Sequence, residues 1–104
     1  MSFSSSCHTI SLQPPAHLHA LCRRPTGEFV PSSIDLNRYL ANRNGEFYWR
    51  HVGRGFVSTA QDIRLDGAVL CASLLDDRDQ PVSAHLNLNF CIANVEGRLV
   101  FQKP

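Results

Sequence analysis

Residues 32–49, SSIDLNRYLANRNGEFYW, return half a chain later as residues 83–101, SAHLNLNFCIANVEGRLVF. Leu36 aligns with Leu88, Asn37 with Asn89, Ala41 with Ala93, Asn42 with Asn94 and Gly45 with Gly97, always at the same offset of 52 positions in a chain of 104 residues. Ile34 with Leu86, Leu40 with Ile92 and Phe47 with Leu99 add apolar matches in the same register. The chain therefore reads as two tandem units, approximately residues 1–52 and 53–104. Two units are too few for an open solenoid, which needs about three stacked repeats. Each half alone is too small to bury an adequate core, so the halves are expected to pair face to face in one closed body.

The composition is that of a globular chain: 43% hydrophobic, with a formal net charge of +1. No basic run or stripe is present, which argues against nucleic acid and anionic membrane surfaces as partners. No apolar run approaches the roughly 20 residues of a membrane-spanning helix. The start of the chain, MSFSSSCHT, lacks the basic and apolar regions of a secretory leader. A cytoplasmic or non-classically exported protein is the expectation. The four cysteines, Cys7, Cys22, Cys71 and Cys91, form no CxxC pair and have no zinc-site spacing. No metal and no cofactor are expected.

Along the chain, short alternating runs are separated by turn signals at regular intervals, which is an all-β pattern. Strands are read at 7–13 and 17–23 around Pro14-Pro15, with Cys7 and Cys22 flanking that hairpin. A third, at 28–33, is weakened by Pro31 and is placed at an edge. Asp35 stands as the N-cap of one tight helical turn before Leu36-Asn37-Arg38. Asn44-Gly45 is a hairpin turn, followed by a strand at 46–50. Residues 51–55, with Gly53 and Gly55, read as the linker between the units. The second unit repeats the pattern with strands at 60–65, 69–75, 80–85 and 98–101 and a tight turn at 87–92.

With these motifs in view, the chain resembles the cyanovirin-N homology family of small lectins, over residues 3–101. The tandem pair of Asp/Asn-Leu-Asn…Asn-x-x-Gly units carries the resemblance. It implies two pseudo-symmetric lobes, each a three-stranded antiparallel sheet plus a β-hairpin with short 3₁₀ turns, and an exchange of elements between the repeats. Lobe A would comprise residues 1–39 with 91–104, and lobe B residues 40–90. It implies a non-catalytic, metal-independent lectin for mannose-rich glycans with α1-2-linked ends, on free oligosaccharides or glycoproteins. It also implies a bridge between Cys7 and Cys22, whereas the positions of the family's second disulfide hold Ala60 and Leu74. With two glycines and no proline in the linker, a monomer is expected.

By the same resemblance, the lobe A site draws on Ser5 and Ser6, on Arg23, Arg24, Pro25 and Thr26, and on Asn94, Val95 and Glu96. Arg23 and Pro25 depart from the acid and hydroxyl common in the family, and Glu96 is one methylene longer than the usual aspartate. The second site would use Ala41, Asn42 and Asn44, the segment 54–59 with Thr59, and Asp76, Asp77 and Asp79, with Asn44 replacing an acid and Asp77 placed where the family carries the arginine matching Arg24. Sugar hydroxyls are both donors and acceptors, so amides, a guanidinium and a carboxylate are fitting partners. Lobe A, which keeps both charges, is expected to be the main site and lobe B weak or silent.

Each of these residues also has a structural reading. Asn37 and Asn89 read as cap and turn residues, whereas Asn42 and Asn94 can be turn residues and ligands at once. Trp49 aligns with Phe101 and reads as core. His17 and His19 lack further metal ligands, and Asp76, Asp77 and Asp79 lack the glycine and closing glutamate of a calcium loop. Cys71, in the apolar run Val69-Leu70-Cys71-Ala72, reads as a passive thiol. No GxSxG, HExxH or phosphate-cradling loop is present, so an enzyme is not expected. The alternative to a lectin is an interaction module of the same fold without sugar binding, differing only in the loops around Arg24, Asn94 and Glu96.

Overall fold

The computed structural model describes residues 3–50 and 53–103; His51 and Val52 of the expected linker, and Met1 and Ser2 before the first 3₁₀ turn, lie outside the described residues. Among the described residues, ten strands form two three-stranded sheets and two hairpins, all antiparallel. The first sheet is β1 (Cys7–Gln13), β2 (His17–Arg23) and β3 (Phe29–Asp35), in that order. The hairpin β4 (Leu40–Arg43) and β5 (Glu46–Trp49) follows. The second sheet is β6 (Ala60–Asp66), β7 (Val69–Leu75) and β8 (Pro81–Asn87), and the hairpin β9 (Ile92–Val95) and β10 (Arg98–Phe101) closes the chain. Single 3₁₀ turns stand at Phe3–Ser5, Leu36–Arg38, Phe56–Thr59 and Leu88–Phe90.

The repeat is kept at the level of single bonds. The Asp35 side chain accepts from the backbone N–H of Asn37 at 3.0 Å and that of Asn87 from the backbone N–H of Asn89 at 3.0 Å, each capping its 3₁₀ turn. Leu36 N–H donates to Ala16 O and Leu88 N–H to Ala68 O, at 3.0 and 2.9 Å. Both sheets carry a bulge in their first strand, with Thr9 at φ 54° and Asp62 at φ 59°. Cys7 faces Cys22 in the ladder, and Ala60 faces Leu74 at the equivalent place. The edge position expected for the strand with Pro31 holds: β3 lies at the end of its sheet, and it runs on to Asp35.

The hairpins pack across the repeat boundary. β9–β10, from the second unit, lies against β3 and the 3₁₀ turn Phe3–Ser5, while β4–β5, from the first unit, lies against β8 and the 3₁₀ turn Phe56–Thr59. Two asparagines stitch these unions. Asn89 accepts from Ser4 N–H at 3.1 Å and donates to Ser4 Oγ at 2.8 Å, and Asn37 accepts from Val57 N–H at 2.9 Å. Asn37 presses so closely on Gly55 that any Cβ there would collide with its backbone and side chain. Trp49 and Phe101, equivalent in the two units, meet edge to face at 5.6 Å, and Tyr39 stacks on Phe101 at 4.8 Å. Contact between equivalent rings places them at the pseudo-symmetry axis of a body 50 Å long and 23 × 19 Å across.

The core is drawn evenly from both units: Phe3 and Phe56, Leu18 and Leu70, Leu36 and Leu88, and Leu40 and Ile92 are all buried as equivalent pairs. Cys7 and Cys22 are buried thiols with sulfurs 2.7 Å apart, and burial beside Cys7 pushes the Cys22 thiol up to about 12. Burial likewise pushes Cys91 up to about 11 from an ordinary 9.0. The folded state thus holds the Cys91 proton more tightly than the unfolded chain. Its stabilisation is complete below pH 9 and is lost as pH rises toward 11. Alkaline denaturation curves should therefore flatten between those values in Cys91→Ala relative to the parent chain. Identical pH slopes in the two proteins would contradict this.

Candidate functional site

The first cluster forms where the β9–β10 turn meets the β2–β3 turn. Asn94 is its staple. The side-chain amide donates to Ser6 Oγ at 3.0 Å and to the Arg23 carbonyl at 3.0 Å, and its oxygen accepts from Gly97 N–H at 2.8 Å. Both amide hydrogens are committed, leaving only residual acceptor capacity on its oxygen. Asn94 therefore holds the turn rather than presenting donors outward. Gly97, at φ 92°, lies under the Arg24 side chain and Val30; a Cβ there would sit 2.8 Å from atoms of each. Arg24 thus lies over the Glu96-Gly97 turn. Its guanidinium is 3.3 Å from Glu28, whose carboxylate also accepts from Thr26 Oγ1 at 3.2 Å. Arg23 to Thr26 and Val95 and Glu96 are exposed, and Ser6, part-buried, ties Arg23 N–H to its own carbonyl at 2.9 Å. Ser5 belongs to the 3₁₀ turn beside them.

Glu96 sits at φ 54°, in the left-handed region. The Glu96-Gly97 pair has positive φ at both positions, the geometry for which Asn-Gly is the preferred sequence. The equivalent turn is Asn44-Gly45, at φ 51° and 86°. A non-glycine, non-asparagine residue there is locally costly.

The second cluster repeats the staple. Asn42 donates to Thr59 Oγ1 and Leu75 O, both at 2.8 Å, and accepts from Gly45 N–H at 2.8 Å. The outward chemistry differs. Arg24 N–H donates to Glu28 O and Asp76 N–H to Gln80 O, so the position equivalent to Arg24 is Asp76, and Asp77 is equivalent to Pro25. That corrects the sequence placement of Asp77. Asp76 turns inward: one carboxylate oxygen accepts from Arg78 and Gln80 N–H at 2.8 and 2.9 Å. Asn44 is likewise engaged, accepting from Asp77 N–H at 2.9 Å. Where the first cluster carries an exposed arginine and two exposed carboxylates, the second spends Asp76 on its own turn and Asn44 on the Asp77 amide of the neighbouring turn.

A shallow depression of about 560 Å³ lies at the second cluster, lined by Ala41, Asn42, Arg43, Asn44, Tyr48, Trp49 and Asp77. Arg43 stands 4.6 Å over the Tyr48 ring within it. Arg43, Tyr48 and, in the first cluster, Glu28 are site neighbours that the sequence reading did not single out. Glu28 was detectable as an acid four residues after Arg24 across a turn. Among the described residues no group of three or more His, Cys, Asp or Glu gathers as a metal site.

The family model of the CVNH domain matches residues 3–100. The chain belongs to the CVNH family. It is 34% identical over 88 residues to the cyanovirin-N homolog of Tuber borchii, covering 82% of each chain. It superposes on the CVNH protein of Gibberella zeae with a TM-score of 0.85 at 37% identity, covering 95% of both chains. Two further CVNH-like structures hold sugars. A MoCVNH3 variant in complex with (N-GlcNAc)4 matches at TM-score 0.87 and 28% identity over 95% of each chain. The microvirin–mannobiose complex matches at 0.80 and 25%, covering 96% of this chain and 97% of the other.

Proposed function

We propose that this protein is a non-catalytic, calcium-independent lectin for α1-2-linked mannose on oligosaccharides or glycoproteins. It would act as a monomer, chiefly through lobe A, taken as residues 1–39 with 91–104, with lobe B (40–90) weak or silent. The observation that carries the choice of lobe is Glu96 at φ 54°, where the equivalent turn has asparagine. A glutamate kept in a conformation that asparagine or glycine fits better suggests a functional demand for its carboxylate. Beside it Arg24 supplies the charged donor, and both side chains are open to solvent. Mannobiose bound by microvirin and an N-acetylglucosamine oligomer bound by a MoCVNH3 variant support sugar as the ligand class.

Cys7 and Cys22, opposed in the ladder with sulfurs 2.7 Å apart, are proposed to join as a disulfide under oxidising conditions. The loop closed would be about 15 residues, worth roughly 3 kcal/mol in the chain-entropy model.

A glycan array probed with the purified chain in EDTA tests the ligand class. Binding concentrated on mannose-terminated α1-2 structures is expected. Signal on N-acetylglucosamine oligomers alone would reassign the sugar, and a blank array would favour the interaction module of the same fold.

A further inference from the structure

The hairpin turn of the second cluster holds a chemically labile pair. Of the six asparagines in the chain, only Asn44 is followed by glycine. The fold itself imposes that pair. Asn44 stands at φ 51° and Gly45 at φ 86°, the two-residue turn that Asn-Gly suits best. Val82 packs against the bare Cα of Gly45, where any side chain would collide with it. The backbone nitrogen of Gly45 is therefore unshielded by a Cβ. It is the atom that can close a succinimide ring on the side-chain carbonyl carbon of Asn44.

Two hydrogen bonds act on that ring closure in opposite senses. Asp77 N–H donates to Asn44 Oδ1 at 2.9 Å. A donor there polarises the carbonyl and meets the negative charge that grows on its oxygen as the nitrogen attacks. Against this, Gly45 N–H donates to Asn42 Oδ1 at 2.8 Å. That bond retains the proton that the Gly45 nitrogen must lose before it can attack. Asn44 is exposed, so water reaches it and ammonia can leave. The first cluster lacks both the amide and the activating donor. Glu96 precedes Gly97, and Pro25, the counterpart of Asp77, has no N–H.

We propose that Asn44-Gly45 is a site of spontaneous deamidation whose rate is gated by the Asn42 staple. Solvent base takes the Gly45 amide proton, and the bond from that nitrogen to Asn44 Cγ forms. The Cγ–Nδ2 bond breaks, and the side-chain nitrogen leaves as ammonia. Water then opens the succinimide to aspartate or isoaspartate, with no change of oxidation state. The product carries a carboxylate at position 44, where the first cluster has Glu96, and the net charge falls by one from +1. The second cluster thus turns acidic as the protein ages, whichever ligand the protein binds.

Peptide mapping by mass spectrometry tests this on the folded chain, held in mildly alkaline buffer well below its thermal midpoint. Asn44 should deamidate ahead of every other asparagine. Asn42→Ala, which frees the Gly45 N–H, should accelerate the reaction about five- to tenfold. Asn94→Ala loosens the fold to a similar degree but leaves the Gly45 bond in place, so its rate at Asn44 should match the parent's. Asp77→Pro, which copies Pro25 and removes the activating N–H, should slow the reaction. Another asparagine reacting first, or equal rates in Asn42→Ala and the parent, would overturn the proposal. Equal acceleration in Asn42→Ala and Asn94→Ala would also overturn it, by tying the rate to general loosening rather than to the staple.

Discussion

Glu96→Asn should bind mannobiose about ten- to a hundredfold more weakly while melting at the same temperature as the parent chain or a few degrees higher. The two effects have separate causes in one residue. The carboxylate can accept from two sugar hydroxyls at once, and hydrogen bonds to a charged acceptor contribute roughly 1.5–3 kcal/mol. The backbone at φ 54° is one that asparagine tolerates better than glutamate, as its counterpart Asn44 at φ 51° illustrates. Relief of that misfit is worth roughly 0.5–1 kcal/mol, a few degrees for a domain of about 100 residues. Isothermal titration and differential scanning calorimetry on the same samples read both. A variant that melts earlier and binds normally would show that Glu96 serves the turn and not the sugar.

Asn94→Ala should be destabilised by roughly 2–3 kcal/mol, lowering the midpoint by about 10 °C. Three bonds are lost together, and two of them, to Ser6 Oγ and from Gly97 N–H, are part-buried. Because the staple joins a hairpin of the second unit to a turn of the first, its loss loosens the union of the two halves as well as the turn. Asn42→Ala, which breaks the equivalent bonds to Thr59, Leu75 and Gly45, should cost a similar amount. Chemical denaturation of both variants checks this. A change below about 0.5 kcal/mol in either would mean that water replaces the staple at little cost.

These expectations also mark what could be read in the residues alone. The repeat offset, the Asn-Gly turn, the Asp35 cap and the apolar alternation of β2 and β7 gave the strands and turns, because each is a local signal with a local cause. Strands β4 and β9 were less legible: Ala41-Asn42-Arg43 and Ala93-Asn94-Val95 have no β-forming pattern, and these short segments become strands through the turn that follows and the staple that anchors them. The structural use of Asn42 and Asn94 depends on partners 17 to 88 positions away, which no spacing rule exposes. The same distance hid the pairing of Arg24 with the turn at Gly97 and the inward rotation of Asp76. That rotation follows from a simple contrast: an aspartate can accept from its own turn's amides, and an arginine cannot, so it reaches outward to Glu28.

The choice of lobe is the claim on which the functional account turns. Amide NMR shifts recorded during a mannobiose titration, with EDTA present, test it residue by residue. Shifts gathered at Ser5, Ser6, residues 23–26 and residues 94–96 are the predicted result. Shifts confined to residues 41–44, Thr59, Asp76 and Asp77 would contradict it, placing the sugar in the depression beside Tyr48 and Trp49 instead.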